Sequence, residues 1–415
     1  MTDPYDLVVI GGGAAGFFSA ITFAEKCVEY GIECRTLILE KSGKLLGKVK
    51  VSGGGRCNVT HACFDPKELA KFYPRGHKSL IGPFHRFNAK DTVEWFSSRG
   101  LELKTEKDGR MFPVTNSSQT VIDCLTGAAR QAGVEVKTST GVKSVSREGE
   151  LFKLTTEKTD MIHAKAVVIA TGGTRLAAGA KLAVSLGHEL IPNVPSLFAF
   201  NIDDARISDL PGLSVQNAEI SVVNGKLSSN GPLLVTHHGL SGPGILKLSA
   251  WGARVLSEKN YQFQIKVNWV PGSDVRARLS QVRVEWGKRL VKGRSPFESL
   301  PKRFWEKACA TAGVSDEDRW SYLGKESTQI LINELTEVVY DVTGKSVNKD
   351  EFVTCGGVHL HDVNLKTMES KIQPDLYFTG EVLDVDGVTG GFNFQNAWTG
   401  GYLAGEAIVN KHLAY

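Results

Sequence analysis

Residues 5–16 read YDLVVIGGGAAG. The first six are a short apolar, β-branched run, the composition of a parallel strand buried on both faces. The next six place Gly11, Gly13 and Gly16 in G-x-G-x-x-G spacing. From Ala14 to about Tyr30, the residues Phe17, Ile21, Ala24 and Val28 recur at helical spacing, and Gly31 ends the run. Residues 35–39 (RTLIL) read as a second strand, closed by Glu40. Three glycines so spaced arise by chance in any glycine-rich chain; between a strand and a helix they become informative. There the first glycine makes a tight turn, the second lets the backbone approach a pyrophosphate, and the third lets helix and strand close up. The N–H groups of the first helical turn, which includes Ala14 and Ala15, face the phosphates. Glu40 follows Gly16 at close to the spacing of about 20 residues expected for an acid that holds ribose hydroxyls. A carboxylate there disfavours a 2′-phosphate, so the expected nucleotide is FAD or NAD.

Working outward, glycine is 44 of 415 residues, above the usual ~7%. The glycines cluster at 11–16, 53–55, 172–173, 356–357 and 387–401. In a chain with 41% apolar residues, such clusters point to backbone that closely approaches a ligand. Residues 43–60 are too glycine-dense for a regular element. Lys48, Ser52, Gly54, Gly55 and Arg56 in this stretch can offer donors and positive charge to a diphosphate. Residues 166–173 (AVVIATGG) read as a strand ending in Ala170, Thr171 and Gly172, a turn that passes near the cofactor in flavoproteins with two dinucleotide folds. Near the C-terminus Gly380 and Glu381 follow a strand, and Gly390-Gly391 precede a helix. An acid after a strand can hold ribityl hydroxyls, and N–H groups of a Gly-Gly pair can face an electron-rich flavin carbonyl edge. A C-terminal return of this kind favours FAD as the resident cofactor.

The expected fold class is α/β, a Rossmann-like FAD-binding domain of the two-dinucleotide-binding flavoprotein type, interrupted by a β-barrel-like domain and a small helical domain. The FAD domain takes 1–190 and 352–415. The β-rich insertion takes 191–272 and is re-entered at 344–351, and the helical domain takes 273–343. Helices are expected at 91–99, 118–131 and 179–186, then at 274–291, 301–312, 325–341 and 396–411. Strands are expected at 134–138, 142–147, 152–156 and 162–169, in the insertion at 197–202, 217–223 and 261–270, and on the return at 352–354 and 376–379.

Lys plus Arg number 49 against 45 Asp plus Glu, a formal charge of +4. So even a balance provides no concentrated basic footprint, and no nucleic-acid partner is expected. No apolar run approaches the ~20 residues of a membrane span. With no export signal and seven cysteines lacking any CxxC pair, a cytoplasmic location is expected. Cys57 and Cys63 have five residues between them, where redox-disulfide flavoproteins have four, so disulfide chemistry is not expected. His237 and His238 precede a Gly-Leu-Ser-Gly-Pro turn, and His238 is the candidate proton donor. No metal site is expected. The oligomeric state is not readable.

Longer motifs carry a family resemblance. GGGRCNVT at 53–60, THHGLSGP at 236–243, TCGGV at 354–358, TMESK at 367–371 and the stretch 380–395 resemble the YhiN-type flavoproteins, the BaiN/RdsA family of NAD(P)/FAD-dependent oxidoreductases. The resemblance implies that Gly55, Arg56, Cys57 and Asn58 lie along the flavin. It implies that Glu40 and Lys41 meet the adenosine ribose and that Val142 contacts the adenine through its backbone. Glu381, Asp386, Gly391, Phe392 and Asn393 are implied around the ribityl chain and ring. The implied reaction draws hydride from NAD(P)H, bound transiently, and passes it to a small organic acceptor of the enone or unsaturated cyclic ketone class. The cleft is expected between the FAD domain and the insertion. An oxidase of a small amine or alcohol using O2, and a non-catalytic flavin sensor or accessory protein, are the competing readings.

Overall fold

The apolar opening run forms β1 (Tyr5–Ile10) in the computed structural model, which describes residues 3–173, 178–346 and 353–413. β1 lies between β2 (Thr36–Leu39) and the strand Met161–Ile169, parallel to both. Val8 faces Leu37 on one side and Val167 on the other. All three side chains are fully buried, as a strand covered on both faces requires. Glu135–Lys137 extends the sheet beyond β2, and Leu376–Phe378 extends it beyond Met161–Ile169, again in parallel. The hairpin Val142–Glu148 and Leu151–Thr156 pairs with the first half of Met161–Ile169, whose second half pairs with Leu376–Phe378. The strand order therefore reverses beside β1. In open α/β sheets that reversal leaves a crevice at the carboxyl ends of the strands.

α1 (Ala14–Glu29) follows β1 with the expected boundaries. It packs along the closing helix, Phe392–Leu413, through glycine. A Cβ on Gly401 would lie 2.8 Å from Ala15 O, and one on Gly405 would lie 2.7 Å from Ser19 O. These glycines serve helix packing. The closing helix starts at Phe392, earlier than the expected 396, directly after Gly390 and Gly391 at φ 133° and 93°.

The glycine-dense stretch contains more order than expected. A helical turn starts at Gly47 and breaks at Ser52, whose ψ is 151°. Gly53, Gly54, Gly55 and Cys57 then take left-handed φ of 57°, 69°, 84° and 60°. Only a run of glycines holds such a path without penalty. Ser118–Gln131 matches expectation, and Ser117 is its cap, accepting from Gln119 N–H at 3.3 Å.

The chain divides into two units, 1–194 with 353–415, and 195–352. In the second, an antiparallel sheet runs in the order Val338–Val342, Phe263–Asn268, Ser214–Val222, Ser228–Thr236, Gly239–Ser241, Phe200–Asn201, Gly344–Lys345. The strands and helices expected as separate domains share one core here, joining Ile220 and Ile265 to Leu279, Trp305 and Leu331. The helix expected at 325–341 stops at Thr336. Val338, Tyr340 and Val342 then alternate inward with exposed Val339 and Asp341, and the segment pairs with Phe263–Asn268. Of the expected return at 344–351, residues 347–351 lie outside the described residues.

Candidate functional site

The three motif glycines of the opening loop, Gly11, Gly13 and Gly16, are of two kinds. A Cβ on Gly11 would sit 2.4 Å from Ala170 O, and one on Gly16 would sit 2.0 Å from Gly11 O. Both are glycine because backbone closes on them. A Cβ on Gly13, the N-cap of α1, would meet nothing within 4 Å. Among the other glycines expected to face the cofactor, three are open in the same way: Gly54 and Gly55 in the left-handed run, and Gly172 after the strand Met161–Ile169. The buried Oγ1 of Thr171 has no hydrogen-bond partner among the described residues. Bare backbone on three loops, a helix N-terminus and an unanswered hydroxyl fit an extended dinucleotide such as FAD.

Each side chain expected in the site has a definite place. Glu40 ties the opening loop together: Oε2 accepts from Gly12 N–H and Oε1 from Ser42 N–H, both at 2.7 Å. Thr140 N–H donates to Glu40 O at 2.8 Å, which brings Val142 to the same end. Lys41 turns to Glu157, 2.7 Å away, on the same hairpin. Lys48 pairs with Glu381, whose other oxygen accepts from Thr354 N–H at 2.8 Å. Opening and closing segments thus meet through one ion pair. Arg56 lies over the Phe112 ring, 4.0 Å from its centroid, and pairs with Glu106 at 2.6 Å. Cys57 is buried, which pushes its thiol up to about 12 against a weak opposing bond from Ser52. It is a neutral thiol at ordinary pH and not a nucleophile.

With its amide oriented to satisfy both groups, Asn58 donates to Thr60 O and accepts from Gly391 N–H, both at 3.0 Å. The N–H expected to face a flavin carbonyl is therefore used inside the fold. Three groups implied around the flavin also brace their own loop. Asp386 is fully buried in an ion pair with Arg75. A buried carboxylate needs such a partner. Asn393 clamps Gly387 through both its N–H and its carbonyl, at 2.8 and 2.9 Å. Phe392 stacks on both His61 and Phe72, at 4.6 and 4.3 Å, in a three-ring cluster whose other two rings lie 5.8 Å apart, and its carbonyl accepts from Tyr73 OH at 2.6 Å. Gly380 packs against Ala15. His238 lies in the second unit, exposed in the turn between Ser228–Thr236 and Gly239–Ser241, its backbone N–H donating to Thr236 Oγ1 at 3.4 Å.

The pattern reading missed how the GGGRCNVT segment is held. Gln395 Oε1 accepts from Thr60 at 2.5 Å and from Thr92 at 3.0 Å, and Trp398 Nε1 donates to Val59 O at 2.9 Å. His61 was also missed. Its Nδ1 lies 3.0 Å from Gly390 O, and burial holds its pKa below the ordinary histidine value against that hydrogen bond. Gly390 and Gly391 at a helix start were the available signal for partners near 58–61. No group among the described residues could hold a metal ion, and none of their helices is long and apolar enough to cross a membrane.

A parallel α/β unit with a phosphate-type glycine loop, further open glycine backbones, and a C-terminal return beside the first helix defines a Rossmann-type FAD-dependent oxidoreductase. The chain belongs to the HI0933-like protein Rossmann domain family, whose model matches residues 5–407. It is similar to a ribosomal RNA dihydrouridine synthase of Escherichia coli, 29% identical with 98% of both chains covered. It is similar to a 3-dehydro-bile acid delta(4,6)-reductase of Clostridium scindens, 26% identical with 97% of this chain and 98% of the relative covered. Among solved structures, the 3-ketosteroid delta1-dehydrogenase of Sterolibacterium denitrificans has the same fold. The TM-score is 0.53 at 12% identity, covering 99% of this chain and 100% of that one.

Proposed function

We propose that this chain is an NAD(P)H-dependent flavin reductase that saturates a carbon–carbon double bond conjugated to a carbonyl, and that the bond lies in a uracil ring of ribosomal RNA. The observation that carries this reading is the full-length similarity to relatives named for two such reductions, around a cradle that fits FAD. Saturating uracil to dihydrouracil and saturating a steroid enone are one reaction type: hydride adds to the carbon β to a carbonyl and a proton adds to the α carbon. FAD supplies the two-electron relay between NAD(P)H and that double bond. The residues of the chain bind and orient. Gly13 and the start of α1 receive the diphosphate, and Glu40 and the backbone near Val142 take the adenosine end. Thr171, Gly172, Gly54 and Gly55 line the path between the ends, and Lys48 with Glu381 closes it. Arg56, beside the open glycines, adds positive charge where electron density rises on reduction.

A second reading, a small cyclic enone as acceptor, is favoured by the bile-acid relative. The test begins with anaerobic mixing of purified, FAD-loaded protein with NADH and NADPH, following the flavin absorbance. Rapid bleaching is expected. The reduced protein is then mixed with unmodified ribosomal RNA or with a cyclic enone, and the products are analysed for two added hydrogens. Dihydrouridine in the RNA supports the first reading, and enone turnover alone supports the second. Bleaching only by an amine, with recovery in O2, would establish an oxidase. Inertness to all of these reductants would establish a sensor.

A further inference from the structure

The charge balance of the whole chain hides an uneven distribution. Residues 276–294 contain Arg276, Arg278, Arg283, Lys288, Arg289, Lys292 and Arg294 against a single acid, Glu285. In the second unit these residues follow and include the helix Val275–Glu285, and Trp286 stands at its C-terminal end. The guanidinium groups of Arg278, Arg289 and Arg294 lie 5.8, 5.5 and 5.7 Å from the Trp286 ring centroid. Trp286 is half-buried and meets Trp320 edge-on at 6.4 Å. Trp320 stacks on Trp305 at 6.0 Å, and both are fully buried. The outer indole is thus the surface end of a column rooted in the core.

Few carboxylates answer this charge. Arg278 has Glu285 at 3.6 Å, and Lys292 has Asp316 at 2.8 Å. Asp318 accepts from Ser315 N–H at 2.7 Å. Arg283, Lys288, Arg289 and Arg294 are exposed and have no ion-pair partner among the described residues. Tyr322, 81% exposed, is next to Ser321, whose carbonyl accepts from Arg283 at 3.3 Å. Like charges gathered around one ring repel each other, and a bound polyanion offsets that repulsion. Planar guanidinium groups match phosphate oxygens, while exposed aromatic rings and guanidinium planes stack on unpaired bases.

We propose that this face, centred on Trp286 with Arg283, Arg289 and Arg294, is a docking surface for the phosphate backbone and unpaired bases of RNA. The assignment rests on the ribosomal RNA reading above and adds to it the surface that holds the substrate. A phosphate contact fixes position without reading sequence, so this face holds the RNA while the flavin site selects the base.

The test compares full-length, FAD-loaded wild type with the triple variant Arg283→Ala/Arg289→Ala/Arg294→Ala and with Trp286→Ala, using an unmodified ribosomal RNA transcript as probe. Binding is measured across a salt series. Each neutralised phosphate contributes a slope of about 0.7–0.9 to log K against log salt, so the triple variant should lose about two units of slope and bind at least about tenfold more weakly. Trp286→Ala should weaken binding with the slope nearly kept. The corresponding triple Lys variant should recover most of the slope. Flavin reduction by NAD(P)H and thermal unfolding should be unchanged in the triple Ala variant, which separates docking from fold and chemistry. Unchanged RNA affinity and slope in the triple variant, with wild type still forming dihydrouridine, would overturn this surface and leave the proposed function standing. Wild type that reduces an enone but neither binds nor reduces RNA would overturn both the surface and the RNA reading. Binding to vesicles containing acidic lipid that needs the same arginines, without RNA binding, would overturn the surface in favour of a membrane.

Discussion

At Gly13 an added Cβ would meet nothing within 4 Å, whereas at Gly405 on the closing helix it would lie 2.7 Å from Ser19 O and 2.8 Å from Thr22 Cβ. The opening loop and the closing segment are both glycine clusters, and both suggest ligand-facing backbone on composition alone. In the opening loop that reading describes Gly13 alone of the three motif glycines. In the closing segment, Gly401 and Gly405 bring the closing helix against α1, and Gly391 closes on Thr60. The opening region is shaped around a space, the closing region around the opening region. Substitutions in the first should therefore change what is bound, and substitutions in the second should change whether the fold holds.

The largest effect should come from the buried ion pair in the closing loop. Arg75→Ala removes the cation paired with fully buried Asp386, and breaking a buried ion pair from one side costs about 3–5 kcal/mol. Urea unfolding with FAD removed should show that loss. Gly13→Val attacks the other region. Its φ of −93° suits any residue and its Cβ has room, so the apo fold should keep its stability within about 0.5 kcal/mol. FAD affinity should fall on the order of hundredfold, about 2.7 kcal/mol, because the new side chain fills the place of the diphosphate. A Gly13→Val protein that retained its flavin would remove the phosphate role from this loop. Gly405→Ala should cost about 1–3 kcal/mol by overpacking the helix contact, while the folded fraction binds FAD normally. If instead it lost FAD at unchanged stability, the contrast between the regions would collapse.

How much of this was readable depended on the range over which each signal acts. β1, the glycine turn, α1 and β2 are specified by neighbouring residues, and their boundaries emerged within a residue or so. What each glycine faces was hidden, because the deciding atoms are distant in the chain. Ala170 decides Gly11, and Ser19 decides Gly405. The pairing of Asp386 with Arg75 was hidden for the same reason, since Arg75 is distant in the chain. At 325–341 a helical period ran into a strand period, and only the partner strand Phe263–Asn268 marks the change. The basic face around Trp286 escaped because total charge averages over the whole surface.

The smallest predicted effect, a pH dependence, sharpens the same contrast. Two histidines, half-buried His61 and buried His188, touch the closing region. His61 stacks on Phe392 with Nδ1 toward Gly390 O. His188 lies 2.7 Å from Ser370 Oγ and packs edge-on against Phe378. Burial lowers the pKa of both, more than their backbone carbonyl partners and the nearby charges of Asp108 and Asp362 raise them. The folded state therefore binds fewer protons than the unfolded chain. The stability these groups contribute is complete above the unfolded histidine value of about 6.5 and drains away as pH falls through the lower folded values. Urea midpoints should decline between roughly pH 7 and pH 5. His188→Asn, which cannot gain a proton there, should start less stable by the lost packing yet lose less on acidification. An equal acid loss in that variant would exclude His188 as a source of the slope and leave His61 to carry it.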